Sequence, residues 1–456
     1  MSVGDFVRHQ TIIQTLNYAA SDPEHNLDKL LNIAEKLAGD PGHKQNVAAV
    51  KKALARDNHW KKFTVNLLKK ANPNVRNRLA VNFLANATFK GVPQQHQMQK
   101  ELGCAVPFAL LIDPTSACNL NCTGCWAGEY EKSNNLETEL IERILNEARE
   151  LGIYFIVLSG GEPLVRKEDL LYLARKFNDM AFLAFTNGTL VDEKFADGLA
   201  EAGNFTLAFS LEGFAESTDA RRVKGVFEKI MQAMDLLNER GVIFGASTTY
   251  TRHNTEEVGS EAYVDMLIDK GCAYSWYFTY VPVGRQADLE MMATPAQRAF
   301  MYRQINKFRQ SKPILIIDFW NDGETSHGCI AGGRRYLHIN AAGDVEPCAF
   351  IHYANENIRG KSLREVLASP LFAAYQKRLP FNENHLRPCP LIDNPETLAE
   401  MVAESGAHST QQHTQQDPEE LARALSSYAE EWGRIADEIK NASASETKEQ
   451  CRMTAN

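Results

Sequence analysis

Beyond about residue 105, short apolar runs alternate with longer stretches of helical period. The runs at 108–112, 154–158, 182–185, 205–211, 243–249 and 274–281 have the length of buried strands, roughly four to eight residues. Between them, apolar residues recur at helical spacing over about 136–151, 167–178, 192–202, 225–240, 256–270 and 294–310. Six strand–helix repeats predict parallel strands joined by right-handed crossovers. Their combined length suits an α/β fold, a partial TIM-like barrel of six units with its functional loops at the carboxyl ends of the strands. A further apolar run at 313–319 leads to Tyr336-Leu-His-Ile-Asn and Ala-Ala-Gly343-Asp344, which reads as a hairpin.

Both flanks read differently. Leu27, Leu30, Leu31, Ile33, Ala34 and Leu37 fall on one helical face, with Gly39-Asp40-Pro41-Gly42 as a stop. Past about residue 392, a helix is expected near 396–404, then a polar Gln/His/Ser/Thr linker over 408–416 that leaves His408 and His413 in solvent, then a charged helix over 418–440. Four regions follow: a helical N-terminal region (1–104), the barrel (105–312), a C-terminal extension (313–392) and a helical tail (393–456).

Composition narrows the class. At 456 residues the chain has length for about three units, and 44% hydrophobic with 23% charged residues is the mix of a soluble globular protein. No apolar run approaches the roughly 18 residues that span a bilayer, and residues 1–20 lack a signal-peptide core. A reducing cytoplasm is expected, where clustered thiols bind metal rather than form disulfides. The net charge of −9 is unevenly spread. Lys51, Lys52, Arg56, Lys61, Lys62, Lys69, Lys70, Arg76, Arg78 and Lys90 share their stretch with a single acid, Asp57, and are interleaved with Trp60, Phe63, Leu67 and Phe83. This reads as the solvated face of a helical cap, or as a basic amphipathic surface for an anionic membrane.

The candidate chemistry sits at the ends of the strands. After the first comes Cys118-Asn-Leu-Asn-Cys122-Thr-Gly-Cys125-Trp126. Thiolates are soft ligands that suit zinc, copper(I) and iron–sulfur clusters, and three is one short of the four a closed site needs. The second strand ends in Ser159-Gly160-Gly161-Glu162-Pro163, where glycines allow close backbone approach and an acid can hold a cation. The third ends in Thr186-Asn187-Gly188 and the fourth in Ser210-Leu211-Glu212-Gly213. Together on one rim they predict a cofactor pocket. A second set follows: the hairpin brings Cys329 and Cys348 together, and Cys389 comes later in His385-Leu-Arg-Pro-Cys389-Pro. Cys104, Cys272 and Cys451 read as ordinary thiols.

Cys118-x-x-x-Cys122-x-x-Cys125 followed by Gly160-Gly161-Glu162-Pro163, on this αβ pattern, resembles the radical S-adenosylmethionine (radical SAM) superfamily over about 107–285. The resemblance implies that the three cysteines hold three irons of a 4Fe–4S cluster whose fourth iron is chelated by the methionine moiety of S-adenosylmethionine (SAM). It implies that the Gly-Gly-Glu-Pro segment meets the ammonium group, and that Ser210 and Arg222 hold ribose and carboxylate, with Asn187 a further candidate. One departure is that Gly124, not an aromatic residue, precedes the third cysteine, and Trp126 follows it. Cys329 with Gly343-x4-Cys348 resembles the auxiliary-cluster extension called SPASM or its shorter form, Twitch. Only Cys389 stands where the full SPASM set needs a four-cysteine run. One auxiliary 4Fe–4S cluster is therefore expected, its fourth ligand being Cys272, a histidine such as His385, or substrate.

The implied activity is that of an oxidoreductase working anaerobically. A one-electron donor such as flavodoxin or ferredoxin drives reductive cleavage of SAM to a 5′-deoxyadenosyl radical, which abstracts hydrogen from a substrate C–H bond. The auxiliary extension points to a peptide or protein substrate, while the basic N-terminal region keeps a lipid and peripheral membrane contact as an alternative. The competing reading is a non-catalytic zinc or iron–sulfur protein with a Cys3His site and a nucleic-acid- or membrane-binding N-terminal region. It gives the Gly-Gly-Glu-Pro segment no task and lacks the strand-borne aromatic and basic residues of single-strand binders, so no nucleic acid partner is expected.

Overall fold

The computed structural model describes residues 3–37, 41–55, 58–413 and 415–454; Gly39, Asp40, Arg56 and Asp57, named above, and the side chain of Cys451 lie outside that description. Seven strands run in one direction: β1 Ala109–Ile112, β2 Phe155–Leu158, β3 Ala181–Thr186, β4 Phe205–Leu211, β5 Phe244–Tyr250, β6 Tyr274–Thr279 and β7 Leu315–Asp318. β8 Tyr336–Ile339 adds parallel to β1, and β9 Val345–Glu346 returns antiparallel to it. The sheet order β7-β6-β5-β4-β3-β2-β1-β8-β9 is that of a partial barrel extended by the expected hairpin.

The inner face follows from period-two alternation. In β6, Tyr274, Trp276 and Phe278 are half-buried while Ser275, Tyr277 and Thr279 are buried. Register places Ser210 beside Ser247 and Trp276, and Thr249 beside Phe278. Gly245 leaves room for the Tyr274 ring, since a Cβ there would lie 2.3 Å from it. The Tyr274 hydroxyl donates to the Leu207 carbonyl at 2.9 Å and so fills the lower barrel. The expected helix over 256–270 is two, Thr255–Val258 and Glu261–Asp269. A Cβ on Gly259 would lie 2.6 Å from the Phe300 ring, and Ser260 caps the second helix by accepting from the Tyr263 amide at 3.2 Å.

The N-terminal helices cap the amino end of the barrel, away from the strand ends that carry the cysteines. Amide side chains make the joint. Asn74 donates to the carbonyls of Ala200 and Glu201, Asn82 to Asn178 and Met180, Asn86 to Asp179, Gln94 to Glu150 and Gln95 to Gly152, at 2.7–3.1 Å. Several of these carbonyls end barrel helices and have no partner within the helix. Asn82 and Asn86 belong to a π-helical segment, Val81–Gly91. The basic stretch forms part of this helical cap, and three of its charges are met by acids of helix Pro23–Leu37: Lys61 pairs with Asp28, Lys69 with Glu24 and Lys51 with Glu35. Among the described residues no helix is long and apolar enough to cross a membrane.

At the other end, helix Pro418–Thr454 docks through Trp432, which is fully buried. Its ring lies 4.1 Å from the Arg298 guanidinium, its Nε1 donates to the Leu386 carbonyl, and Arg298 pairs with Asp393.

Candidate active site

The cysteine loop and the Gly160–Gly161 turn are bound to each other through backbone. The Gly161 amide donates to the Thr115 carbonyl at 3.0 Å and the Glu162 amide to Ala117 at 2.9 Å. A Cβ on Gly160, which sits at φ +108°, would lie 2.5 Å from the Thr115 oxygen, and one on Gly161 2.3 Å from that of Ala117. The paired glycines are thus required by the strand leading into Cys118, a different reason from the cofactor approach expected above. Glu162 is 1% exposed. Its carboxylate accepts from the Leu164 amide, the Thr186 hydroxyl and the Asn187 amide at 2.7–3.0 Å. Burial raises its pKa against these donors, which lower it. Asn187 in turn donates to Asn119 of the cysteine loop at 2.9 Å.

On the other side, β4 ends at Glu212, which sequence reasoning passed over as a site residue. It is 1% exposed and takes Arg221 at 2.7 Å and Arg222 at 2.5 and 2.7 Å. Burial alone would raise its carboxyl; the two guanidiniums hold it below the usual value. Arg222 was expected to grip a ligand carboxylate, yet Glu212 takes most of its fork. The remaining Nη1 lies 4.0 Å from the Cys122 sulfur. The Arg221 carbonyl accepts from the Thr123 amide, and Cys125 takes the Arg285 amide, so the loop is pinned from three strand ends. Ser210 sits half-buried on the inner face.

The second set is gathered from separate segments. Cys329, Cys348 and Cys389 line one cavity with Phe350, Trp320 and Tyr375. Burial pushes Cys348 up to about 12 and Cys389 up to about 11, compared with about 11 for Cys118. The Tyr336 hydroxyl donates to the Cys348 sulfur at 2.7 Å. Cys272 lies at the amino end of β6, where the Leu267 carbonyl takes its amide. It is buried beside Tyr263, Tyr274 and Tyr277. This is the opposite end of the sheet from the cavity, and it removes Cys272 as a fourth ligand. His385 stands 6.0 Å, ring to ring, from His327.

Trp126 joins the two sets. Its ring meets Phe350 at 5.9 Å, and Phe350 meets Trp320 at 5.0 Å. It also covers His338 at 5.6 Å. His338, on β8, is fully buried between Asp113 at 2.9 Å and Glu346 at 2.6 Å. The Asp113 contact has ion-pair distance but not hydrogen-bond alignment. Burial alone would lower His338; the two carboxylates raise it to about 10. The linker over 408–416 is a correction. His408–Ser409 pairs with Tyr353–Ala354, and Thr410 and Gln411 are buried, donating to Glu346 and His352. Thr410 and Gln411 thus satisfy buried partners instead of water, while His408 and His413 are exposed as expected.

Both sets fit an iron–sulfur group. All six thiols are free of disulfides, the first has guanidiniums close by to balance an anion, and the second holds an orphaned hydroxyl on Tyr375. Among the described residues no three or more His, Cys, Asp or Glu side chains gather tightly enough for a single metal ion.

The geometry therefore defines an enzyme that uses SAM and iron–sulfur chemistry at a barrel rim. The chain carries a radical SAM superfamily domain, whose model matches residues 112–260, and a SPASM iron–sulfur cluster-binding domain over 329–390. It uses SAM, a 4Fe–4S cluster and an auxiliary iron–sulfur cluster. It is 26% identical over 290 residues to an AdoMet-dependent heme synthase of Methanosarcina barkeri, covering 57% of this chain and 82% of that one. It is 28% identical over 298 residues to a PqqA peptide cyclase of a Methylobacterium species, covering 59% and 75%. Its fold is similar to that of Streptococcus suis SuiB bound to SAM, with a TM-score of 0.55 at 17% identity over 73% of this chain and 88% of that one.

Proposed function

We propose that this enzyme abstracts hydrogen from a C–H bond of a peptide or protein substrate, with Cys118, Cys122 and Cys125 holding the SAM-binding cluster. When bound, cluster and SAM together supply a 5′-deoxyadenosyl radical after one-electron reduction by a donor such as flavodoxin or ferredoxin. The observation that carries the reading is the convergence of the three-thiol loop, Gly160–Pro163, Asn187, Ser210 and Arg222 on one rim. Gly160 and Gly161 set the loop height, and Pro163 opens the short helix Pro163–Arg166 behind it. Glu162 fixes the Asn187 backbone, Asn187 ties its amide to Asn119 and Thr189 and so shapes the rim, and Ser210 presents a hydroxyl suited to ribose. The Glu162 carboxylate is largely engaged, which leaves the ammonium group to nearby backbone carbonyls. Arg222 acts as a brace, held by Glu212 and offering positive charge to Cys122. Trp126, Trp276, Phe278 and Phe350 line the space between the cysteine sets and exclude water around a reactive species.

Cys329, Cys348 and Cys389 are proposed to hold the auxiliary cluster, with His385 or substrate at the fourth position. The peptide assignment is supported by the PqqA peptide cyclase relatives. A second reading, a tetrapyrrole substrate, is supported by the heme synthase relatives. The lipid alternative has less support, since Lys51, Lys61 and Lys69 are paired with acids and the basic stretch caps the far end of the barrel from the cysteines. Reconstituted protein with dithionite and SAM should release 5′-deoxyadenosine, read by mass spectrometry. Deuterium should enter it from carbon-deuterated peptides. Transfer from a deuterated iron porphyrin alone would move the assignment to tetrapyrroles, and iron-loaded protein that releases none would overturn the reading.

A further inference from the structure

The cavity of the second cysteine set holds a polar group that the protein itself does not satisfy. Tyr375, in helix Pro370–Arg378, is fully buried, and its hydroxyl has no hydrogen-bond partner among the described residues. A buried unpaired hydroxyl is destabilising, so one retained in a packed wall calls for a partner from outside the polypeptide. Its position is enforced. A Cβ on Gly332, at φ +65°, would lie 2.5 Å from the ring, and Phe381 meets it edge-on at 5.3 Å. The same wall holds Cys329, Cys348 and Cys389. On β8, Tyr336 already donates to the Cys348 sulfur. A phenol is an O–H donor below about pH 10, and the acceptors a cluster offers are its sulfurs.

We infer that Tyr375 donates a hydrogen bond to a sulfur of the auxiliary cluster and, with Tyr336, sets that cluster's reduction potential. The inference rests on the assignment of these three cysteines as cluster ligands. Hydrogen bonds to sulfur are among the features that set iron–sulfur potentials. The direction follows from charge: a donor dipole favours the reduced, more negative state, so losing it lowers the potential. Tyr375 does not ligate iron; it is a positioning residue that acts through the cluster.

The test uses the full chain with Cys118, Cys122 and Cys125 replaced by alanine, so that one cluster remains. If this protein takes up no iron in anaerobic reconstitution, the ligand assignment itself fails. If it loads about four irons, a redox titration followed by electron paramagnetic resonance compares it with the added Tyr375→Phe change. The potential should fall by about 59 mV or more, a tenfold shift in the one-electron equilibrium, with altered g-values. Tyr336→Phe should shift it in the same direction. In the iron-free protein, Tyr375→Phe should leave unfolding unchanged or raise stability, because the hydroxyl has no protein partner to lose. An unchanged potential and spectrum in iron-loaded Tyr375→Phe would overturn the inference, as would destabilisation of the iron-free protein to the same extent as the loaded one.

Discussion

The two cysteine sites are built in opposite ways. The first takes its three thiols from one loop, pinned by backbone contacts from β2, β4 and β6, with half-buried guanidiniums beside it. The second draws Cys329, Cys348 and Cys389 from three segments and surrounds them with aromatic rings and phenols. A loop site depends on local geometry and compensating charge, so it should survive changes elsewhere in the chain. A site assembled from distant segments depends on the docking of the extension against the barrel, and should fail when that docking loosens.

The largest expected effect separates the chemistry of the two. Cys122→Ala should abolish 5′-deoxyadenosine formation while leaving about four of roughly eight irons bound. Cys348→Ala should lose the other four and retain part of the cleavage activity. Equal loss in both variants would erase the distinction.

Next comes the joint between them. His338 is the cation between Asp113 and Glu346, so His338→Gln leaves two buried carboxylates without it, a change of about 3–5 kcal/mol. Iron should be lost from the second site first, measured by electron paramagnetic resonance alongside denaturant unfolding. The pH dependence has a definite sign. The folded-state pKa of about 10 exceeds the unfolded value of about 6.5. The contribution of His338 is therefore full below about pH 6.5 and fades as pH rises through about 10. Stability that falls over that window in wild type and not in the variant would support this. Identical profiles would contradict it.

Smaller effects belong to the amino end, where neither site should respond. Asn82→Ala leaves the Asn178 carbonyl without its side-chain donor and takes one of two side-chain donors from Met180; it should cost about 1–3 kcal/mol with both cluster spectra unchanged. Lys61→Ala removes a pair whose acid, Asp28, is 56% exposed, and should cost about 1 kcal/mol or less in thermal unfolding. A spectral change in either variant would show that the cap communicates with the rim.

What the sequence made legible follows from what is local. The strands at 205–211 and 274–281 and the three-thiol loop announce themselves by apolar runs and close spacing. Glu212 could have been found from its place at the end of β4, nine and ten residues before two consecutive arginines. The amide cap could not: nothing near Asn74, Asn82 or Gln95 in the chain shows a partner, because the carbonyls they meet come from segments 57 to 126 residues away. The same holds for Thr410 and Gln411, which look like linker until Glu346 and His352 fold beneath them. Tyr375 gave no signal because the cavity it faces is made of thiols from three distant segments. The Glu212 partner of Arg222 was hidden for a related reason, since burial of the pair and not motif spacing brings them together.

The central claim is that the first loop leaves one iron for SAM. Electron–nuclear double resonance of the reduced protein with SAM carrying a 17O-labelled carboxylate and a 15N-labelled amino group tests it directly. The account predicts hyperfine coupling to both labels, lost in Cys122→Ala and retained in Cys348→Ala. A reduced, iron-loaded protein whose spectrum shows no coupling to either label would contradict it.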